Sequence, residues 1–321
     1  MSGRPPLALV GPTASGKSEA ALPLAESLGA EIVSVDSMLV YRGMDLGTAK
    51  PSPAQRARVP HHVVDVAEPS ESFSVARFQQ VATSAVEEIG TRGHRVLLVG
   101  GSGLYFRAVV DQLEFPGTDP DARAELEKEA AALGPAGMHE RLTALDPVAA
   151  GRIEPGNVRR TVRALEVPAI TGRPFSAFAE AWERYEPRAV RAAGIRMPRE
   201  VLLARIRERV GGMLEAGWLE EVRSLVDRGL SGWLTSTQAI GYAEMARHLR
   251  GEMTREEAVE ATVKRTGNLA RRQMAWFRRD PRIRWFDVGT AGAIEAYEPI
   301  RAFLKPQVTD DDERQHVTED G

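Results

Sequence analysis

Leu7, Ala8, Leu9 and Val10 run without a polar break into Gly11, as a short strand buried on both faces would. After Lys17 the spacing changes. Ala21, Leu22, Leu24, Ala25 and Leu28 fall on one helical face, and Gly29 ends the run. Pro23 inside that pattern is expected to bend the helix. Ile32, Val33 and Val35 predict a second strand that stops at Asp36. A third, residues 96–99, runs into Gly100-Gly101-Ser102-Gly103. Strands alternating with helices, with glycine loops at strand ends, predict an α/β fold: a phosphate-loop NTPase-like parallel sheet flanked by helices.

Near residue 115 the texture changes. Residues 119–191 are rich in Ala, Glu and Arg, carry no strong strand, and are punctuated by Pro116, Pro120, Pro155 and Pro174. The helical spacing of DARAELEKEAAAL and NVRRTVRALEV predicts an all-helical insertion. The expected division is a core over residues 1–114, the insertion over 115–191, and a mainly helical second part of the core over 192–305. Helices are predicted at 200–214, 220–226 and 255–279, with an edge strand at 284–288. No internal repeat is visible.

Composition adds constraints. A chain of 321 residues with 43% hydrophobic and 27% charged residues can bury a core. No apolar run approaches the roughly 18 residues of a membrane helix, and the N-terminal pattern is not that of a signal peptide. Cysteine is absent, which rules out disulfides, thiolate zinc sites and cysteine nucleophiles. A cytoplasmic protein with no membrane partner is expected. The net charge of −3 is unevenly spread: the segment 310–321 sets six acids against Arg314, a balance of −5 that leaves the rest at +2. That acidic tail, 306–321, has little to bury and is expected to be disordered.

The strongest chemical signal is Gly11-Pro12-Thr13-Ala14-Ser15-Gly16-Lys17-Ser18, which fits GxxxxGK[ST] between a strand and a helix. Its backbone N–H groups and the helix N-terminus suit a diphosphate, Lys17 the terminal phosphate, and the Ser18 hydroxyl a Mg²⁺ ion. The loop alone does not separate a nucleotide from an allylic diphosphate. The third strand ends in glycines and Ser102, where phosphate-loop NTPases usually place an acid, and this weakens a reading as an ATP-hydrolysing enzyme. Asp36, at the carboxyl end of the second strand, should face the same crevice. A carboxylate there could take the proton of an attacking amine, cap a helix, or sit in a metal's shell. Lys264, Arg271 and Arg278 recur every seven residues, as do Arg265, Arg272 and Arg279. Seven residues return a helix to within about 20° of its starting face, so these form a basic stripe suited to a phosphate backbone or to plain solvation. Trp276 and Phe277 interleave with it, and a place in the core suits them better than base stacking.

GPTASGKS, DSMLVYRGMDLGTAKP, PHHVVDV, LLVGGSGLY, RALEV followed by TGRPFS, and LARRQMAWF together resemble, in that order, the tRNA dimethylallyltransferases of bacterial type. The resemblance spans roughly residues 5–287. It implies transfer of a dimethylallyl group from dimethylallyl diphosphate to N6 of adenosine 37 in tRNAs reading codons that begin with U, with Mg²⁺ as cofactor. The partner would be the tRNA anticodon stem-loop, and the protein a monomer. Carried over residue by residue, the phosphate loop would hold the diphosphate and Asp36 would be the base on N6. Ser37, Met38 and Leu39 would lie beside the acceptor, and Ser102, where the family usually has threonine, at the reacting centre. Arg123, the run Arg159-Arg160-Thr161-Val162-Arg163, the run Gln238-Ala239-Ile240-Gly241-Tyr242, and Arg271 would contact tRNA. Arg205 and Arg209 both match basic positions, one of which would neutralise the diphosphate. Pro168 departs from the pattern and is expected to end its helix early.

Overall fold

The computed structural model describes residues 4–305 except 112, 179 and 234, so the acidic tail expected at 306–321 lies outside the described residues. Six strands form one sheet: β1 (Leu7–Val10), β2 (Ala30–Ser34), β3 (His61–His62), β4 (Arg95–Gly100), β5 (Arg191–Arg196) and β6 (Ile283–Asp287). Their order is β3-β2-β4-β1-β5-β6 and every neighbouring pair is parallel. Parallel neighbours require a crossover between strands, and helices supply most of them here. β1 lies between β4 and β5, and all four of its side chains are buried, as its unbroken apolar run predicts.

The first four helices are α1 (Lys17–Leu28), α2 (Pro53–Arg58), α3 (Val75–Thr91) and α4 (Gly103–Val110). α1 continues through Pro23, which removes one internal hydrogen bond without ending the helix, and stops at left-handed Gly29. α2 begins with a reciprocal cap between Ser52 and Gln55.

The chain divides into two compact units. The second comprises residues 74–79 and 107–186, and the rest forms the first. The second contains α5 (Pro120–Leu145), α6 (Pro147–Ala150) and α7 (Val158–Thr171). α5 breaks direction at Gly134 (φ 69°), with Pro135 next. The unit's core joins Leu126, Met138 and Leu142 of α5 to Val162 and Leu165 of α7. Contrary to expectation, Pro168 does not end α7, which runs three residues further to a left-handed glycine cap at Gly172.

After β5 the first unit resumes with α8 (Arg199–Glu215), α9 (Trp218–Asp227), α10 (Tyr242–Leu249), α11 (Arg255–Phe277) and α12 (Tyr297–Leu304). One face of its sheet packs Leu7, Leu9, Ile32, Leu97, Ala193 and Ile195 against Ala21, Leu24 and Ala25 of α1 and Ile300 and Leu304 of α12. Burying each large aliphatic side chain is worth about 1.5–3 kcal/mol. This packing fixes the carboxyl ends of β1, β2 and β4 relative to one another. Among the described residues, no helix is long and apolar enough to cross a membrane.

Candidate active site

The site begins where β1 ends. Gly16 takes φ 82°, and a Cβ there would come within 2.9 Å of the Ala293 nitrogen. Glycine is therefore required twice, by conformation and by space. The chain after β6 closes on the loop at this point, the Ala293 N–H donating to the Ser15 carbonyl at 2.9 Å. Lys17 opens α1 and is buried. Its Nζ donates to the Pro12 carbonyl at 2.6 Å and lies 3.5 Å from Ser15 Oγ. Burial brings its pKa down to about 7; nearby Asp36 works against that shift and Arg209 adds to it.

Residues 13–18 and Asp36 line one cavity of about 510 Å³. Asp36 follows β2, and one of its carboxylate oxygens, Oδ1, accepts the Met38 N–H at 2.8 Å. Its other oxygen accepts no hydrogen bond among the described residues. Strand alternation puts Ile32, Ser34 and Asp36 in the same wall. Ser34 is buried, and its hydroxyl finds no partner among the described residues. Leu39, Thr48, Gln55, His61 and Val64 extend the lining, and Gly100 and Gly101 bring in the end of β4. A Cβ on Gly100 would lie 2.5 Å from the Val35 carbonyl oxygen, and one on Gly101 would collide with Gln273. The glycines are there because neighbours occupy that space, which also leaves no room for an acid at either position. The carboxylates among the lining residues are Glu19, Asp36 and Glu208.

Arg205 and Arg209, both of α8, line the cavity but are engaged differently. Arg205 donates Nε to the Ala14 carbonyl at 2.9 Å and Nη1 to the Thr290 carbonyl at 2.6 Å, tying the phosphate loop to the chain after β6. Arg209 donates Nη2 to Thr13 Oγ1 at 2.9 Å, and its buried Nε has no partner among the described residues. Burial lowers the Arg209 pKa, Asp36 opposing the shift and Arg205 adding to it. Gln273 of α11 accepts the Thr13 N–H at 2.8 Å. Its role was not read from the basic stripe. The signal was present, because Ala258, Thr262, Thr266, Ala270, Gln273 and Phe277 mark the buried face of α11 at helical spacing.

The remaining expected site residues are placed as follows. Ser37 and Met38 are partly buried beside Asp36 but do not line the cavity. Ser102 also lies outside the lining and sits at the start of α4, its Oγ accepting the Tyr105 N–H at 3.4 Å. In the second unit, Arg123 and Arg163 both bind the buried Glu166, at 2.6 and 2.7 Å. Burial raises the Glu166 pKa, but these two guanidinium groups and the Asp119 N–H outweigh it and hold the carboxyl below its usual range. Arg159 and Arg160 are exposed, whereas Thr161 and Val162 point into the core. Gln238 is exposed and Ile240 half-buried. Ala239, Gly241 and Tyr242 are buried, with the Tyr242 hydroxyl donating to Glu221 at 2.7 Å. Arg271 is exposed, as are Lys264, Arg272, Arg278 and Arg279, and none of the five has a carboxylate partner among the described residues. Arg265, on the same helix, pairs with Glu244.

The profile of the family described as IPP transferase matches residues 39–280, three-quarters of the chain. The chain belongs to the IPP transferase family. A tRNA dimethylallyltransferase of Kineococcus radiotolerans is 51% identical over 88% of this chain and 90% of its own length. One from Streptomyces coelicolor is 47% identical over 96% and 100%. The crystal structure of a full-length tRNA isopentenylpyrophosphate transferase from Bacillus halodurans superposes with a TM-score of 0.68 at 41% identity, covering 94% of this chain and 95% of that one. In this member of the IPP transferase family the matched stretch holds Arg205, Arg209 and Gln273, while the phosphate loop and Asp36 precede residue 39.

Proposed function

We propose that the protein is a monomeric tRNA dimethylallyltransferase of the cytoplasm, transferring the dimethylallyl group of dimethylallyl diphosphate to N6 of adenosine 37 in tRNAs that read codons beginning with U. The observation that carries this reading is the shared cavity: the phosphate loop and Asp36 line one space, in a chain of the IPP transferase family. Its volume suits a five-carbon diphosphate together with a base.

The diphosphate sits on the N–H groups of Ala14, Gly16, Lys17 and Ser18, with the Lys17 ammonium on its outer oxygens and Arg209 supplying the unpaired Nε. Arg205 is spent on two carbonyls and positions the loop. As the allylic C–O bond breaks, negative charge collects on the departing diphosphate, and these donors stabilise it more than they stabilise the bound donor. The N6 lone pair forms the new C–N bond, and the proton it releases passes to the open oxygen of Asp36. Ser18 faces the cavity with its hydroxyl engaged by no other described residue, and it would hold Mg²⁺ together with diphosphate oxygens and water. Among the described residues no cluster of His, Asp or Glu forms a metal cage, which suits an ion that arrives with its phosphates. The ion would neutralise charge on the leaving group.

The acceptor base must leave its stack to enter the cavity, at a cost of a few kcal/mol. The exposed Arg159, Arg160, Gln238 and the stripe through Arg271 would offset it by holding the RNA. Buried Thr161, Val162, Ala239, Gly241 and Tyr242 would shape those surfaces from beneath, and Arg123 and Arg163 act through Glu166. Ser37, Met38, Leu39 and Ser102 would border the acceptor. The test is incubation with dimethylallyl diphosphate and Mg²⁺ and either tRNA or AMP, followed by nucleoside mass spectrometry. Dimethylallyladenosine in tRNA and none from AMP is the expected result; modification of AMP alone, or of neither, contradicts it.

A further inference from the structure

From Asp36 back toward the start of β2, Ile32 lines the cavity with Val99 of β4, Val64, and Ala21 and Leu22 of α1. Ser34 and His61 stand among these apolar side chains. The parallel register sets Val99 beside Ser34 and His61 of β3 beside Ile32. Ser34 is only 3% exposed, and its hydroxyl has no partner among the described residues. An unpaired buried hydroxyl is destabilising, and alanine would fill this strand position without that loss. His61 Nδ1 lies 2.8 Å from the Val59 carbonyl. A carbonyl only accepts, so Nδ1 carries the proton and Nε2 is left as a bare acceptor. Burial, opposed by the Val59 carbonyl and helped by Arg56 and His62, lowers the His61 pKa and keeps the ring neutral at pH 7. Ser34 sits diagonally from His61, with about 8 Å between their backbones, a span that one small polar group between the two side chains can bridge.

A free hydroxyl donor and a bare nitrogen acceptor within an apolar wall match an alcohol carried on a hydrocarbon chain. Ser34 lies two residues, about 6.6 Å, from Asp36 along β2, so that alcohol belongs at the far end of a donor whose reacting carbon is beside Asp36. We propose that the cavity also takes a five-carbon allylic diphosphate hydroxylated on a terminal methyl carbon, whose oxygen accepts from Ser34 and donates to His61 Nε2. This rests on the reading of the protein as a dimethylallyltransferase and widens its donor class. The transfer itself keeps its balance. The bond from C1 to the diphosphate oxygen breaks with its electron pair on the diphosphate, the N6 lone pair forms the C1–N bond, and the N6 proton passes to Asp36. The alcohol is a spectator, no oxidant is needed, and the product carries a hydroxylated prenyl group on N6.

The test is a competition on tRNA, with the full chain and Mg²⁺, between equal concentrations of dimethylallyl diphosphate and its 4-hydroxy derivative. The two isomers, with the hydroxyl on one methyl carbon or the other, are tried separately. Nucleoside mass spectrometry reads the ratio of hydroxylated to plain product. Both donors meet the same enzyme in one tube, so the ratio does not depend on how much of a variant is folded. A wall that gave the alcohol no partner would disfavour it by about 100-fold, so for wild type a ratio above about 0.1 with at least one isomer is expected. Ser34→Ala should lower that ratio by about fivefold or more, the worth of one hydrogen bond. A wild-type ratio below that bound with both isomers overturns the proposal and needs no variant. So does a smaller change in Ser34→Ala, which would leave the Ser34 hydroxyl to a bound water. Transfer from neither kind of donor would instead sink the dimethylallyltransferase reading beneath it.

Discussion

Burial brings the Lys17 pKa down to about 7 against the pull of Asp36. The protonated form is the one that binds phosphate, and a bound diphosphate raises the pKa again. If Lys17 meets the diphosphate as proposed, it contributes fully to the affinity below pH 7 and progressively less above it. Comparing wild type with Lys17→Met by calorimetry cancels the ligand's own ionisation. The ratio of their affinities for inorganic diphosphate should shrink as pH rises from 6 to 8.5; a constant ratio contradicts the assignment. Arg209 offers a second residue-scale test. Losing a charge-assisted donor costs about 1.5–3 kcal/mol, so Arg209→Met should weaken diphosphate binding by about tenfold or more. An unaltered affinity would return the role to Arg205. Sequence reasoning found both arginines and could not rank them, because the ranking lies in which carbonyls they meet: those of Ala14 and Thr290 come from segments far apart in the chain.

At the scale of elements, α11 has two chemically distinct faces. Its buried face sends Gln273 to Thr13, and its exposed face presents Lys264, Arg271 and Arg272, with Arg278 and Arg279 exposed just past its end. If Arg271 meets a phosphate, Arg271→Ala should weaken tRNA binding for all sequences alike and reduce the salt slope by about one. A slope identical to wild type would make the stripe an ordinary solvated face. The seven-residue spacing made the exposed face legible, and the edge position of β6 and the strand–loop–helix at the phosphate loop were equally open to reading. β5 was not. RAAGIR offers one large apolar residue, because Gly194 lies where Ile283 and Trp285 of β6 fill the space above it. Small residues that make room for a neighbour leave no periodic signal of their own. α3 did leave one, in Phe78, Ala82, Ala85 and Ile89, all buried at helical spacing, and it was there to be found.

Over the whole molecule, the alternation of strand and helix announced the parallel sheet. The change of texture near residue 115 gives no hint that residues 74–79 pack with 107–186, since such a grouping depends on contacts distant in sequence. Stability has a similarly distributed anchor in Glu31 of β2, a buried carboxylate that accepts from Arg92 at 2.8 Å, His62 at 2.6 Å and His94 at 2.7 Å. The Arg92 hydrogen bonds, helped by the two histidines and opposed by burial, lower its pKa from 4.5 to about 2. A depressed carboxylate contributes its stability above the unfolded-state value and loses it as pH falls toward the folded one. Urea unfolding should therefore weaken between pH 4.5 and 2 more steeply in wild type than in Glu31→Gln, and parallel curves would show the cluster to be neutral. The central claim remains that a departing diphosphate and a proton acceptor share one cavity. Asp36→Asn tests it most directly, by single-turnover transfer to tRNA with both ligands saturating. The rate should fall about 10²–10⁴-fold while diphosphate and tRNA affinities stay within about threefold of wild type; transfer at the wild-type rate would contradict the account.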